Sequence, residues 1–253
     1  MDCRNPTCSP ATYGSLRYVD NIESNFLFRG PEPAGSDSKT GNKCFDYCGL
    51  ANAIRGAKLP ASVQLPPGFF QDPPQYFLVV INLLHPDETD KIAAEIDFCQ
   101  ENPALARVHL WDTNGTPQCY FSTAPAERDR LVTTLGEWLP DPLIWRTAML
   151  RQMLEPSQNP LPVVVYVHCD GGCDRTAEMI GAYRLRYGQA SWATVSADQP
   201  CQRPLGCDNY RALQWYAYWL NAVQGFSLTG MGEDCGCYDP GGAHMPCSPT
   251  PPA

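Results

Sequence analysis

Residues 163–183 read VVVYVHCDGGCDRTAEMIGAY. His168 and Cys169 end an apolar, β-branched run. Arg175 and Thr176 follow across Asp170, Gly171, Gly172, Cys173 and Asp174. Cysteine is a nucleophile as its thiolate, and a thiol ionises below its free value of about 8.5 when N–H groups, a helix N-terminus and a cation surround it. Gly171 and Gly172 let the segment curl so that successive backbone N–H groups turn inward, and a helix beginning near Arg175 adds its positive end. The planar fork of Arg175, six positions after Cys169, can grip two anion oxygens. Such a cradle binds a tetrahedral dianion and holds a nucleophilic thiol beneath it.

Those residues need a strand before them and a helix after them, and the chain supplies both. Val163–Val167 is a short β-branched run led in by prolines, and Arg175–Tyr187 carries Met179, Ile180, Tyr183 and Tyr187 at helical spacing. Tyr76–Leu84 is a continuous apolar run that suits a strand buried on both faces, and Arg107–Trp111 is a further strand ended by Asp112. Residues 88–100 place Ile92, Ile96 and Cys99 at helical spacing with charges between, a surface helix. Residues 126–138, 142–154 and 209–223 are also helical, the last strongly aromatic. Alternating short strands and helices predict an α/β fold with a mostly parallel central sheet flanked by helices. A Cys-containing segment over residues 1–20, one domain over 20–224 and a Gly/Pro/Cys-rich tail over 225–253 are expected. The first sixty residues are rich in turn formers around one aromatic patch, Asn25–Gly30, and residues 60–75 are a proline-rich irregular connection.

With 253 residues, 43% of them hydrophobic, the chain can bury a full core. A net charge of -9 and only four lysines argue against nucleic-acid binding or attraction to an anionic membrane, since both need basic surface. No apolar run approaches the roughly 18 residues of a membrane span, and residues 1–20 lack the plan of a signal peptide. Thirteen cysteines are many for a reduced protein. Setting Cys169 aside leaves an even number, which suits a disulfide framework around one free thiol and hence a secreted or secretory-lumen protein, the alternative being reduced cysteines in the cytoplasm. Close pairs stand out at Cys3 and Cys8, Cys44 and Cys48, and Cys201 and Cys207, with Cys235, Cys237 and Cys247 near the end. Their irregular spacing, without a suitable histidine, argues against zinc. Asn114-Gly115-Thr116 is a possible N-glycosylation sequon.

His168-Cys169-x5-Arg175-Thr176 resembles the H-C-x5-R-[ST] signature of the cysteine-dependent protein tyrosine and dual-specificity phosphatases. Asn25–Gly30 and Val79–Leu83 look like the opening segment and a strand of the atypical dual-specificity domains, and Gly172–Thr176 is similar to the myotubularin loop. The resemblance implies a phosphocysteine mechanism that needs no metal or cofactor. Cys169 would attack phosphorus, Arg175 would hold the equatorial oxygens, Thr176 would hydrogen-bond the thiolate, and His168 would orient the loop from behind. Residues 170–175 would cradle the phosphate of a phosphorylated protein or, alternatively, of a phosphoinositide.

Two aspartates and no lysine make this loop acidic, which disfavours a very anionic substrate. The general acid must be a carboxyl group within hydrogen-bond reach of the leaving oxygen. Three are candidates: Asp112 at the end of a strand, Asp141 in Trp138-Leu139-Pro140-Asp141, which echoes the tyrosine-phosphatase Trp-Pro-Asp loop, and Asp174 inside the loop. Cys173 either packs under the loop or forms a protective disulfide with Cys169. A phosphate-binding module without turnover and a thiol oxidoreductase using Cys169 and Cys173 are the rival readings. The four-residue spacing of those cysteines and the placing of Arg175 speak against the oxidoreductase.

Overall fold

The computed structural model describes residues 8, 9, 11–37, 39–156, 160–198 and 201–231, together with the backbone of 237–238 and 244–245. The chain divides into two compact units, Met1–Asp112 with Gln152–Gly172, and Thr113–Arg151 with Cys173–Ala253.

The first unit is built on a five-stranded sheet. Strands β1 (Arg17–Ile22), β2 (Asn25–Gly30), β5 (Phe77–Asn82), β6 (Ala106–Leu110) and β7 (Val163–His168) lie in the order β1-β2-β7-β5-β6. β2, β7, β5 and β6 are parallel, and β1 closes one edge antiparallel to β2. The central strands are apolar almost throughout because both of their faces are covered: Phe26, Phe28, Val80, Val164 and Tyr166 on one parity and Leu27, Val79, Ile81, Val165 and Val167 on the other are all essentially inaccessible. The first set packs with residues of α1 (Tyr47–Arg55) and α2 (Thr89–Glu101). Phe98 of α2 stacks on Phe45 at 4.6 Å and on Tyr47 at 5.4 Å, and Phe45 ends the short hairpin of β3 (Ala34–Ser36) and β4 (Lys43–Phe45).

The helix expected at residues 88–100 exists as α2, with a different inner face. Its buried residues are Ala94, Glu95, Phe98 and Cys99, while Ile92 and Ile96 are half-buried. The turn-rich first sixty residues also hold more regular structure than their composition indicates, namely β1 to β4 and α1.

Helices dominate the second unit: α3 (Pro125–Thr133), α4 (Leu135–Trp138), α6 (Asp174–Arg186), α7 (Trp192–Ser196) and α8 (Cys207–Gln224), with α5 (Leu143–Leu154) running to the unit boundary. α6 carries Asp174 in its first turn and Arg184 and Arg186 in its last, the polarity that suits a helix dipole. Gly181 brings α6 close to its neighbours. A Cβ there would lie 2.8 Å from Val195 of α7 and 2.9 Å from Leu213 of α8. No described helix is long and apolar enough to cross a membrane.

Candidate active site

The four parallel strands end level with one another. Gly30 and Asn82 both pair with His168, and Asn82 also pairs with Leu110. The segments that leave this carboxyl rim are therefore neighbours by construction, and in open α/β sheets that rim is where ligands bind. Cys169 is the first residue past β7. It carries a reduced thiol and is 3% exposed.

The curl of the loop is held from outside by its carbonyls. Glu32 N–H donates to the Asp170 carbonyl at 2.8 Å, the Ser15 hydroxyl to Gly171 at 3.1 Å, and the Arg29 guanidinium to Gly172 at 2.8 Å. One residue earlier, Leu83 N–H donates to the His168 carbonyl at 2.9 Å. Three successive carbonyls held in this way turn the amide N–H groups of the same peptide units to the opposite side. Gly172 has φ +71°, and a Cβ there would stand 2.8 Å from Pro31 N and closer still to the Gly30 carbonyl. Glycine is required at 172 both for its conformation and for its space. Arg29 was not among the expected residues. Its signal is an arginine inside an otherwise buried strand, where a charge survives only with partners.

His168, the residue before Cys169, is wholly buried. Its Nδ1 lies 3.2 Å from the Cys169 carbonyl, and its Nε2 lies 2.9 Å from Glu95 Oε1, with Glu95 itself 1% exposed. The second contact is short but poorly aligned for a hydrogen bond. Asn82 Nδ2 donates to the other Glu95 oxygen at 2.7 Å, and Asn82 Oδ1 accepts from Leu84 N–H. Burial pushes the His168 pKa down, yet the Glu95 carboxylate, the Cys169 carbonyl and Glu32 together outweigh it and the net direction is up.

Both loop aspartates are matched by cations that arrive from elsewhere in the chain. Lys91 of α2 reaches Asp170 at 2.7 Å and Glu32 at 3.3 Å. Burial lowers the pKa of Lys91, but these acceptors raise it further. Asp174 forms a two-pronged ion pair with Arg203 and accepts from Gly206 N–H at 2.8 Å. The loop is thus less acidic in its setting than its own residues suggest, because two cations distant in sequence lie against it.

Cys173, the residue before α6, is disulfide-bonded to Cys201 across 28 positions, with Cα atoms 5.7 Å apart. This replaces both expectations for Cys173, since it neither packs as a thiol nor bridges to Cys169. Cys201 pairs with Cys173 instead of its near neighbour Cys207. Likewise Cys8 bonds Cys44 across 36 positions. Both bonds join segments far apart in sequence that pass within bonding distance once folded. Cys48 and Cys119 are also disulfide-bonded. Cys99 is a second reduced thiol, in the apolar core of the first unit, where burial lifts its pKa to about 12. The expectation of one free thiol therefore does not hold. Cys3, Cys235 and Cys247 lie outside the described residues.

The three acid candidates have distinct settings. Asp141 is inaccessible: its carboxylate accepts from Asn114 N–H at 3.0 Å and Gly115 N–H at 2.5 Å, and pairs with Arg146 at 3.4 Å. It ties down a turn, and its likeness to a Trp-Pro-Asp loop does not extend to presenting a carboxyl group to solvent. Glu178 of α6 is buried nearby, and burial together with the Asp141 charge drives its pKa well up. Asp174 is engaged by Arg203. Asp112, two residues past β6, is 41% exposed and pairs with His85 Nδ1 at 3.0 Å. Its strand lies two places from β7, about 10 Å sideways at ordinary strand spacing. Thr176 is fully buried in the first turn of α6, and its hydroxyl has no hydrogen-bond partner among the described residues. Arg175, beside it, is half-buried. Among the described residues no group of three or more His, Cys, Asp or Glu could hold a metal ion.

Neither protein-family models nor curated proteins match this chain. Among solved structures, the chain is similar to the core catalytic domain of the PP-IP phosphatase SIW14 from S. cerevisiae, at 12% identity and a TM-score of 0.35 over 83% of this chain and 79% of that one. A likeness at that level carries neither fold nor chemistry across.

Proposed function

We propose that this chain is a cysteine-dependent phosphomonoester phosphatase, of the protein tyrosine or dual-specificity type, working through a phosphocysteine intermediate. The observation that carries the reading is the loop of Cys169–Gly172: a reduced cysteine at the carboxyl rim of a parallel sheet, followed by three residues whose carbonyls are all tied outward. Inward amides stabilise the charge that builds on phosphoryl oxygens in the transition state.

The Cys169 thiolate attacks phosphorus, the S–P bond forms, and the ester P–O bond breaks. The leaving oxygen takes a proton from Asp112, whose side chain is the most accessible of the three candidates. Asp112 then accepts a proton from water as that water attacks phosphorus. The S–P bond breaks, and inorganic phosphate and the thiolate are released. Arg175 holds the equatorial oxygens, and Thr176 hydrogen-bonds the sulfur as it leaves. A thiol with so little exposure is best reached by a phosphoryl group at the end of a slim arm, which favours phosphotyrosine. Two disulfides in the described residues, with Cys48 and Cys119 also oxidised, support an oxidising compartment.

Phosphate release is to be measured from para-nitrophenyl phosphate, a phosphotyrosine peptide and phosphoinositide vesicles, with wild type, Cys169→Ser, Asp112→Asn, Asp141→Asn and Asp174→Asn. Turnover of the aryl and peptide substrates that Cys169→Ser abolishes and Asp112→Asn lowers about 10²-fold or more supports the proposal. Full activity in Cys169→Ser overturns it. Turnover confined to the vesicles assigns the same chemistry to a lipid headgroup, and phosphate binding without turnover makes the chain a recognition module.

A further inference from the structure

Behind the loop, β5, α2 and β7 bring together Asn82, Glu95 and His168, a buried polar cluster that the displacement steps do not touch. A carboxylate sits at 1% exposure in the middle of a helix only where something compensates it. Here Asn82 fixes one oxygen and the His168 ring faces the other. That ring meets an acceptor at each nitrogen, the Cys169 carbonyl at Nδ1 and Glu95 at Nε2. A neutral imidazole has one N–H and can satisfy one of them. The doubly protonated ring can donate to the Cys169 carbonyl and set its charge 2.9 Å from the Glu95 carboxylate.

We propose that Glu95 is a positioning residue for the catalytic loop: held by Asn82, it clamps His168 as an imidazolium, which pins the Cys169 carbonyl and lodges a positive charge behind the thiol. The inference rests on the phosphatase reading. The charged and titratable groups facing His168 are Glu95 from α2, Glu32 from the segment after β2, and Tyr166 and Cys169 on its own element. Of the paired charges, the cation is the nearer to Cys169, because the ring's Nδ1 abuts that residue while Glu95 lies beyond Nε2. Glu95→Gln removes the charge that keeps the second proton on the ring, and the thiolate loses its neighbouring cation.

The test follows alkylation of Cys169 by iodoacetamide, mapped by mass spectrometry from pH 5 to 9, in wild type, Glu95→Gln and Glu101→Gln, an exposed carboxyl on the same helix. Glu95→Gln is expected to react about tenfold more slowly at pH 6 and to approach wild type at high pH, with kcat falling in parallel at low pH and KM little changed. Glu101→Gln is expected to match wild type. Superimposable profiles for Glu95→Gln and wild type, or a uniform loss at every pH, overturn the proposal. Nitrogen NMR shifts of His168 in wild type test it without any variant. A doubly protonated ring at pH 7 is expected, and a neutral one overturns the proposal. Absence of turnover by wild type sinks the phosphatase reading instead, and the alkylation and NMR results are still readable.

Discussion

Asp141→Asn separates a structural carboxylate from a catalytic one. In the wild type, Asp141 is inaccessible, accepts from two backbone amides and faces the buried Arg146. The substitution keeps the shape but removes the charge, and it turns an amide NH₂ toward groups that are themselves donors. Removing one partner of a buried pair costs about 3–5 kcal/mol, because the other charge stays buried without compensation. For a chain of this length each kcal/mol moves the melting temperature by about 2–4 °C, so a fall of roughly 6–20 °C is expected. Asp112→Asn is the contrasting case. Its pair with His85 is 41% exposed on both sides, and such pairs contribute about 0–1 kcal/mol. Its melting temperature should stay within a few degrees of wild type while kcat falls about 10²-fold or more. Differential scanning fluorimetry and para-nitrophenyl phosphate turnover on the same preparations give both quantities. If Asp141→Asn melts like wild type yet loses a hundredfold in kcat, Asp141 is the acid and the assignment of its carboxylate to the 113–115 turn is wrong.

Gly172→Ala should abolish turnover and weaken phosphate binding by equilibrium dialysis, since the added methyl meets the Gly30–Pro31 backbone and the residue holds φ +71°. Glu178 has its pKa raised, so the folded state holds that proton more tightly than the unfolded chain. Its contribution is fully present below about pH 4.5 and is lost as pH rises through the folded value. Urea melts of Glu178→Gln should therefore show a smaller fall in stability than wild type between pH 5 and 8, and equal slopes would contradict the shift. Cys201→Ser should destabilise the chain by about 3.5 kcal/mol, the loop-closure value for a 28-residue separation, read as a lower urea midpoint than that of wild type kept oxidised.

The strand end, turn and helix start around Cys169 were legible because they lie in one uninterrupted stretch. The strands at 77–82 and 163–168 were legible for a similar reason, since burial on both faces leaves a continuous apolar run, whereas the partly exposed edge strand at 106–110 was marked by the break that begins at Asp112. What surrounds the loop was not. Arg29, Asn82, Lys91 and Glu95 come from three other elements and meet it through the sheet order, which no local pattern reveals. Glu95 was hidden further because α2 looks like a surface helix, and a buried charge and an exposed one read alike in a string of letters. β1 to β4 were not read as strands because they are set among turn formers. The pairing of the cysteines was not legible, because nearness along the chain is a poor guide to nearness in space.

Three of the five residues between Cys169 and Arg175 have side chains joined to a side chain elsewhere: Asp170 to Lys91, Cys173 to Cys201, and Asp174 to Arg203. In evolutionary terms these loop positions are not free to drift singly. Loss of one member leaves Cys201 as a thiol or takes a carboxylate from Lys91 or Arg203. Related chains should therefore keep or exchange each pair together, and the glycines between them should hold constant while the pairs change.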